Sequence, residues 1–309
     1  MSTSVRIAQE EKRWFITGAS SGFGRVLAEY LASLGAKVVA TARDVKQLEP
    51  FMMHHPGQVF ILPLDVTSEA SIEHAVADAV AHVGHIDVLV NNAGYGVAGA
   101  VEEVSEAEYM PMFDTNLFGL INMTKAVLPQ FRERRSGMIV NMSSIGGLIA
   151  MPGWGYYNAT KFAVEGLSDS LRAEVAPLGI HVMTVEPGAF RTDFLSGSGQ
   201  EARNHIADYE ITAGKTREYF RSQGGKQPGD PQRGVEAIVA AVSDPNPPNH
   251  LLLGRAAMER FRKRLEDWDG ELNRWESTTT GADFPENEAA TAPKAGRAGV
   301  TGARSSAQS

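Results

Sequence analysis

The sequence contains no cysteine among its 309 residues. Disulfide bonds, thiol nucleophiles and cysteine-ligated metal centres are therefore excluded, and no metal site is predicted. Long apolar runs are missing as well, because no uninterrupted apolar stretch approaches the ~20 residues of a membrane span. The first residues contain no apolar signal core. These absences predict a soluble, cytoplasmic protein that does not use a membrane as partner.

Positive charge is scarce relative to negative charge. The chain has 29 Lys and Arg residues against 37 Asp and Glu residues, which gives a net charge of -8. This balance argues against nucleic acid as a partner. Hydrophobic residues make up 43% of the sequence, the share expected for a globular protein with a sizeable core.

Strand-like and helix-like segments alternate along the chain. Helical spacing of apolar residues predicts helices over 68–83, 115–134 and 157–176. Short segments rich in Val and Ile between them predict about seven strands. This alternation predicts an α/β fold with a doubly wound, Rossmann-like parallel sheet and helices on both faces. The predicted strands cover residues 13–16, 37–41, 59–64, 86–90, 138–142, 180–185 and 251–253.

The chain is predicted to contain one such domain, over residues 11–277, after an N-terminal extension over 1–10. Within the domain, residues 189 to about 230 have no clear strand, many polar residues and scattered aromatics. A long irregular segment of this kind is typical of a lid or substrate loop, with a disordered surface loop as the alternative. Residues 278–309 are rich in Ala, Gly, Ser and Thr, which predicts a disordered tail.

A glycine-rich turn stands between the first predicted strand and a helical pattern. Residues 17–24 read TGASSGFG. Such a turn lets the backbone approach a pyrophosphate, and the free N–H groups of the following helix attract its charge. Small residues also make tight turns for packing reasons, but the position between strand and helix favours a dinucleotide site.

Tyr157 and Lys161 form a second motif, on the helix predicted after the fifth strand. They stand four residues apart, so they lie on one helix face. An ammonium group near a phenol stabilises the phenolate and would lower the tyrosine pKa. A tyrosine of this kind can exchange a proton with a hydroxyl or carbonyl group.

With these motifs in their order and spacing, residues 11 to 255 resemble the short-chain dehydrogenase/reductase family in its single-domain form. The segments around residues 92–96 and 186–194 are similar to the branch that contains 17β-hydroxysteroid and retinol dehydrogenase-like members. The motifs that carry the resemblance are Thr17-Gly18-Ala19-Ser20-Ser21-Gly22-Phe23-Gly24, Asn91-Asn92-Ala93-Gly94, Asn116, Ser143-Ser144, Tyr157 with Lys161, and Pro187-Gly188.

The resemblance implies four catalytic residues. Tyr157 would be the general acid/base, and Lys161 would bind the nicotinamide ribose and lower the tyrosine pKa. Ser144 would hold the substrate oxygen by a hydrogen bond, whereas Ser143 would point to the other face of the strand end. Asn116 resembles the helix-bending asparagine that anchors a proton-relay water near the lysine.

The resemblance also implies a nicotinamide dinucleotide site, in which Asp65 would contact the adenine. The residue after the second strand decides between the two cofactors, because an NAD site needs a carboxylate there. The sequence instead has Ala42 followed by Arg43, which favours NADP(H) over NAD(H), although Asp44 comes next. The predicted cofactor-binding residues are Gly18, Ser20, Ser21, Gly22, Phe23, Gly24, Arg43, Asp65, Val66, Asn92, Ala93, Gly94, Tyr157, Lys161, Pro187, Gly188, Phe190 and Thr192.

The implied activity is hydride transfer between NADP(H) and a lipophilic secondary alcohol, its ketone, or an aldehyde. The resemblance also implies a homodimer or homotetramer. Three alternatives remain: an NAD-dependent alcohol dehydrogenase, a non-catalytic NADP(H)-binding regulator, and a sugar-nucleotide epimerase or dehydratase. The last usually carries Gly-x-x-Gly-x-x-Gly and a larger C-terminal domain, and a regulator typically loses the tyrosine or lysine of the motif.

Overall fold

The computed structural model describes residues 12–284, with only the backbone described at residues 196 and 198. The predicted extension over residues 1–10 lies outside the described residues. Of the predicted tail, residues 278–280 are helical, and the part from residue 285 lies outside the described residues. One compact unit ends at Arg262 and a second begins at Lys263.

Nine strands are described in the chain. They are β1 Arg13–Ile16, β2 Lys37–Ala42, β3 Val59–Pro63, β4 Val88–Asn91, β5 Val97–Ala98, β6 Gly137–Met142, β7 Ile180–Pro187, β8 Gln200–Glu201 and β9 His250–Leu253. Seven of them form one parallel sheet in the order β3-β2-β1-β4-β6-β7-β9. The other two, β5 and β8, pair with each other. The predicted doubly wound sheet is confirmed.

The helices alternate with the strands of the large sheet. They are α1 Gly22–Ser33, α2 Glu49–His54, α3 Glu69–Val83, α4 Glu106–Phe113, α5 Leu120–Arg134, α6 Gly155–Val175, α7 Lys215–Ser222, α8 Pro231–Ser243 and α9 Arg255–Thr280. A π-helical turn, Asp114–Gly119, joins α4 to α5. Among the described helices, none is both long and apolar enough to cross a membrane.

Two hydrophobic cores cover the two faces of the sheet, because successive side chains of a strand point to opposite faces. Trp14 and Ile16 of β1 are buried in one core together with residues of α1 and α8. Phe15 between them is buried in the other core, with residues of α3 and α5. This two-sided burial explains why the strands read as continuous apolar runs rather than alternating ones.

The strand order shows where a ligand crevice can form in the sheet, because the direction of strand addition reverses between β1 and β4. In open α/β sheets a crevice opens at such a point, beyond the carboxyl ends of the strands. The glycine-rich turn leaves β1 there, and Asn92 and Gly94 follow β4. The sheet therefore brings together motifs that are far apart in sequence.

Candidate active site

A cavity of about 1170 Å³ lies at the carboxyl edge of the sheet. Every predicted site residue except Gly24 and Asn116 lines it. Those two residues support the lining residues instead, as their contacts below show. The predicted residues that line the cavity are Gly18, Ser20, Ser21, Gly22, Phe23, Arg43, Asp65, Val66, Asn92, Ala93, Gly94, Ser144, Tyr157, Lys161, Pro187, Gly188, Phe190 and Thr192.

The glycine-rich turn is held in place by Asn92. Its side-chain amide donates hydrogen bonds to the carbonyl oxygens of Thr17 and Gly18, each at 2.9 Å. Gly18 has a φ of +65°, a conformation that other residues rarely adopt. A Cβ at Gly24 would overlap the Asn92 amide and the Gly18 carbonyl. Both glycines are therefore required for the turn to close.

The first turn of α1 opens onto the cavity without a competing side chain. Ser21 precedes the helix but makes no side-chain capping hydrogen bond, and the first turn contains no acidic residue. The first backbone N–H groups of a helix lack intrahelical partners and carry a partial positive charge. The residues present thus fit the pyrophosphate of a dinucleotide.

Tyr157 and Ser144 meet beside Gly146, where α6 faces the end of β6. A Cβ at Gly146 would lie 3.3 Å from Tyr157 Cε1 and 3.4 Å from Ser144 Oγ. Ser144 Oγ accepts a hydrogen bond of 3.0 Å from the Gly146 N–H. The Ser144 hydroxyl also forms a hydrogen bond with the Tyr157 hydroxyl. The hydroxyl groups of Tyr157 and Ser144 can both form hydrogen bonds with one substrate oxygen.

Burial raises the pKa of Tyr157 to about 12, and the hydrogen bond with Ser144 opposes this rise. The expectation that Lys161 lowers the pKa of Tyr157 is thus not seen in this structure. The Lys161 ammonium lies 5.7 Å from the centroid of the tyrosine ring. It donates a hydrogen bond of 2.8 Å to the carbonyl oxygen of Met142. Burial lowers the pKa of Lys161 itself to about 8.

Asn116 lies behind Lys161 in the π-helical turn. Its side chain bridges the backbone of Tyr95, accepting from the N–H at 2.9 Å and donating to the carbonyl at 2.8 Å. A Cβ at Gly94 would lie 3.0 Å from Asn116 Oδ1 and 3.7 Å from Lys161 Nζ. The expected helix irregularity at Asn116 is present, and it places the amide oxygen on the lysine side.

Arg43 and Asp65 line the cavity just after β2 and β3. Hydrogen bonds from Thr67 lower the pKa of Asp65, and the charge of Arg43 lowers it further. Asp44 does not line the cavity; its carboxylate accepts from the N–H of Lys46 at 3.1 Å and caps a short helical turn. The Asp44 carboxylate, next to Arg43 in sequence, is thus held by a hydrogen bond of its own turn.

Aromatic side chains surround Tyr157 on the side away from the glycine-rich turn. Its ring lies 5.5 Å from the Trp154 ring and 5.6 Å from the Phe194 ring, between centroids. A Cβ at Gly96 would meet Trp154 at 2.9 Å and Phe194 at 3.0 Å. The wall near the reacting hydroxyl is therefore apolar and tightly packed.

The segment 189–230 contributes further cavity residues, of which Tyr219 belongs to its scattered aromatics and Ile211 and Lys215 are not predicted from the sequence. Ile211, Lys215 and Tyr219 line the cavity from α7 and the turn before it. Their spacing of four residues was the available signal, but the segment was interpreted as irregular. Gln227 and Arg260 also line the cavity and belong to no motif of the analysis.

The family model for short chain dehydrogenase matches residues 12–203 of the chain. Three relatives align over most of their length. Oxidoreductase BOA17 of Botryotinia fuckeliana is 36% identical, over 85% of this chain and 96% of its own. The 3-ketodihydrosphingosine reductase of Bacteroides thetaiotaomicron is 38% identical, over 80% and 90%. Human retinol dehydrogenase 8 is 37% identical, over 75% and 78%.

Solved structures show the same fold. A short-chain dehydrogenase from Streptomyces avermitilis is 42% identical with a TM-score of 0.83, covering 88% of this chain and 99% of its own. A Burkholderia phymatum enzyme in complex with NAD is 26% identical with a TM-score of 0.74, covering 84% and 95%. A Thermococcus sibiricus alcohol dehydrogenase complexed with 5-hydroxy-NADP is 28% identical with a TM-score of 0.64, covering 78% and 95%.

Proposed function

The chain belongs to the short-chain dehydrogenase family, whose oxidoreductases act on CH–OH groups with NAD(P), and we propose that it uses NADP(H) to interconvert a lipophilic secondary alcohol and its ketone, or an aldehyde. The observation that carries the proposal is the meeting of Tyr157 and Ser144 beside Gly146, inside a cavity that fits a dinucleotide. Segment 189–230 would be the substrate loop.

Tyr157 is the proposed acid/base. In carbonyl reduction its hydroxyl would give a proton to the substrate oxygen while Ser144 donates a hydrogen bond to that oxygen. The nicotinamide, when bound, supplies the hydride to the carbonyl carbon. In alcohol oxidation the same proton returns to Tyr157. The ordinary pKa of a tyrosine, which burial raises here, lies well above neutral pH, so Tyr157 carries the proton that reduction requires.

Lys161 and Asn116 would take part in proton transfer to and from Tyr157. The Lys161 ammonium donates a hydrogen bond to the Met142 carbonyl, and both it and the Asn116 amide oxygen lie near Gly94. An ammonium group in that position can bind ribose hydroxyls and pass a proton toward Asn116 through water. Pro187 at the end of β7 and Gly188, Phe190 and Thr192 after it would hold the nicotinamide. The Phe190 ring packs on Phe23 at 5.1 Å between ring centroids.

The preference for NADP(H) is supported by Arg43, which lines the cavity where β2 ends. A guanidinium group binds a phosphate through charge-assisted, bidentate hydrogen bonds. The carboxylate that an NAD site would need after β2 is absent at Ala42, and Asp44 caps its own turn. The 2′-phosphate would therefore have the Arg43 guanidinium beside it, and the adjacent carboxylate of Asp44 is held by its own helical turn.

An apolar substrate is supported by Trp154, Phe194 and Ile211, which line the cavity. The names of two relatives, 3-ketodihydrosphingosine reductase and retinol dehydrogenase 8, are those of enzymes for lipid-like compounds. We also propose a homodimer or homotetramer that packs through the helices beginning near Thr115 and Tyr157. The large exposed side chains of Phe118 and Phe162, which are 48% and 44% accessible, support this interface.

The test compares two adjacent tyrosines. Tyr157→Phe removes the proposed acid/base, whereas Tyr156→Phe alters a ring that stacks on Tyr109 at 4.3 Å. We expect Tyr157→Phe to lower kcat by at least ~100-fold with an unchanged Kd for NADPH. Tyr156→Phe should retain turnover within about threefold. Equal turnover in both variants would remove Tyr157 from its role.

A further inference from the structure

Helix α9 carries an apolar stripe whose residues have no part in the proposed reaction. Its large apolar side chains alternate at spacings of three and four residues, which is the a/d pattern of a coiled coil. The aliphatic residues occupy one set of positions and the aromatic residues the other. In chain order the apolar stripe consists of Met258, Phe261, Leu265, Trp268, Leu272 and Trp275.

The apolar stripe is open to solvent in the single chain. The accessible fractions are 48% for Leu265, 53% for Trp268, 62% for Leu272 and 52% for Trp275. Between Lys263 and Thr280 no described residue is buried. Two leucines and two tryptophans on one helix face form the kind of contiguous apolar patch that marks an interaction surface.

The charges beside the apolar stripe are sorted along the helix. Arg255, Arg262 and Arg264 flank its first half. The second half is flanked by acidic residues only, Asp269, Glu271 and Glu276. This order is the reverse of what the helix dipole favours in an isolated helix. Among the described residues of α9, the ion pairs found run only from Lys263, to Glu266 and Asp267 on the outer face. Arg264 lies over the Trp268 ring of its own helix, with Cζ 4.7 Å from the ring centroid, and Asp269 accepts a hydrogen bond of 3.1 Å from Asn273. The flanking charges can therefore still form ion pairs with another helix.

We propose that α9 pairs with α9 of a second copy of the chain as an antiparallel coiled coil. With Leu265 opposite Trp268 of the second copy, Phe261 faces Leu272 and Met258 faces Trp275. Every layer then combines one aliphatic and one aromatic side chain, which gives the layers similar volumes. A parallel pair would instead stack aromatic on aromatic at Phe261, Trp268 and Trp275.

The flanking charges select the same orientation. In the antiparallel pair Arg264 lies beside Glu271 of the second copy, and Arg262 beside Asp269. Arg255 lies beside Glu276, and symmetry repeats each contact, so every flanking contact joins opposite charges. In a parallel pair Arg264 would still meet Asp269, but Glu271 would face Glu276.

A second copy suits the helix better than a membrane surface does. Helices that lie on membranes carry an excess of Lys and Arg on their polar face. Helix α9 has six basic and six acidic residues. Its basic and acidic residues are equal in number, and they face opposite charges throughout only when two copies of the helix pair in antiparallel orientation.

The first test measures the mass of the full chain by sedimentation, with Leu265→Lys/Leu272→Lys as the variant. We expect the mass to fall by a factor of two. NADPH binding by the same sample shows that the unit ending at Arg262 is folded. An unchanged mass would overturn the proposal, as would binding of the full chain to anionic vesicles without self-association.

Charge exchange tests the orientation. Glu271→Arg should weaken association at least ~10-fold in an antiparallel pair, and Arg264→Glu/Glu271→Arg should restore it. In a parallel pair Glu271→Arg would strengthen association, which would overturn the antiparallel arrangement. Glu266→Arg makes the same change on the outer face and should leave association unaltered.

Cross-linking gives a direct readout of the register, because the chain has no cysteine of its own. A mixture of Leu265→Cys and Trp268→Cys chains should form the interchain disulfide faster than either variant alone. Fast cross-linking of Leu265→Cys with itself would show a parallel pair instead.

Discussion

The two halves of the cavity are held together by different means. On the cofactor side, the glycine-rich turn, Asn92 and Asp65 sit directly on the ends of sheet strands, where backbone geometry positions them. On the substrate side, β5 and β8 pair with each other, and their side chains pack with those of α7 in a small layer of their own. The first half is positioned by the ends of the large parallel sheet, and the second depends on a two-stranded pairing and a few side-chain pairs between distant residues.

The central pair of the substrate side joins Arg217 to Glu103. The two side chains are 3% and 0% exposed, and Arg217 Nη1 lies 2.5 Å from Glu103 Oε2. Glu103 also accepts hydrogen bonds of 2.8 Å from the N–H groups of Ala100 and Ile206. One buried carboxylate therefore connects the loop after β5, the segment before α7 and α7 itself. Loss of its cation should loosen the substrate side alone.

The largest effect is expected for Arg217→Met, which leaves the Glu103 carboxylate buried without its cation. Breaking a buried pair in this way costs about 3–5 kcal/mol. We expect the free energy of unfolding to fall by this amount in urea titrations and KM for an apolar carbonyl to rise. Arg221→Met on the same helix removes an exposed pair with Glu201 and should cost under about 1 kcal/mol. Equal losses in the two variants would contradict the role of Arg217.

A smaller effect, confined to the cofactor side, is expected for Arg43→Ala. Loss of the guanidinium should weaken NADPH binding by about 10–100-fold, or roughly 1.4–2.7 kcal/mol. The Kd for NADH should stay within about twofold, because NADH lacks the 2′-phosphate. Fluorescence titration with both cofactors measures the two values, and Lys46→Ala serves as the nearby control. Parallel weakening for both cofactors would argue against a 2′-phosphate contact.

The smallest effect concerns Glu165 and Glu186, which face each other between α6 and the end of β7, beside His250. One carboxylate oxygen of each glutamate and one ring nitrogen of His250 lie within 4.8 Å of one another. Burial raises the pKa of Glu165 to about 7, and the charge of Glu186 adds to the rise. Burial likewise raises the pKa of Glu186 to about 7. The neutral forms are thus favoured in the folded chain.

Because these pKa values lie above the ordinary 4.5, the stabilising contribution is full below pH 4.5 and is lost as the pH rises toward 7. Glu165→Gln should therefore flatten the pH dependence of stability, with a gain of about 1 kcal/mol at pH 8 relative to pH 5. Thermal unfolding at the two pH values measures this difference. The exposed Glu174 on the same helix provides the control, Glu174→Gln, which should leave the pH dependence as it is.

The difference between the cofactor side and the substrate side also explains what could be predicted from the sequence. The strands were found because β1, β2 and β6 are buried on both faces and read as apolar runs. Many of the predicted site residues follow those strands, at the spacing of the family they resemble. Their place around one cavity needs only the rule that parallel strands end at one edge.

The remainder depends on contacts that the sequence does not reveal. Arg217 and Glu103 are 114 residues apart, and neither belongs to a motif. The raised pKa of Tyr157 comes from burial against Trp154 and Phe194, which only the folded layer provides. Helix α9 continues to Thr280 although the composition from residue 278 predicted disorder.

The most direct test of the account is the rate of NADPH oxidation by the purified chain, followed at 340 nm with a panel of ketones, aldehydes and steroid-like carbonyls. Each carbonyl is offered with NADPH and with NADH. The account predicts turnover of apolar carbonyls, faster with NADPH than with NADH, and loss of that turnover in Tyr157→Phe. Tight NADPH binding without turnover across the panel would contradict it and favour a non-catalytic regulator.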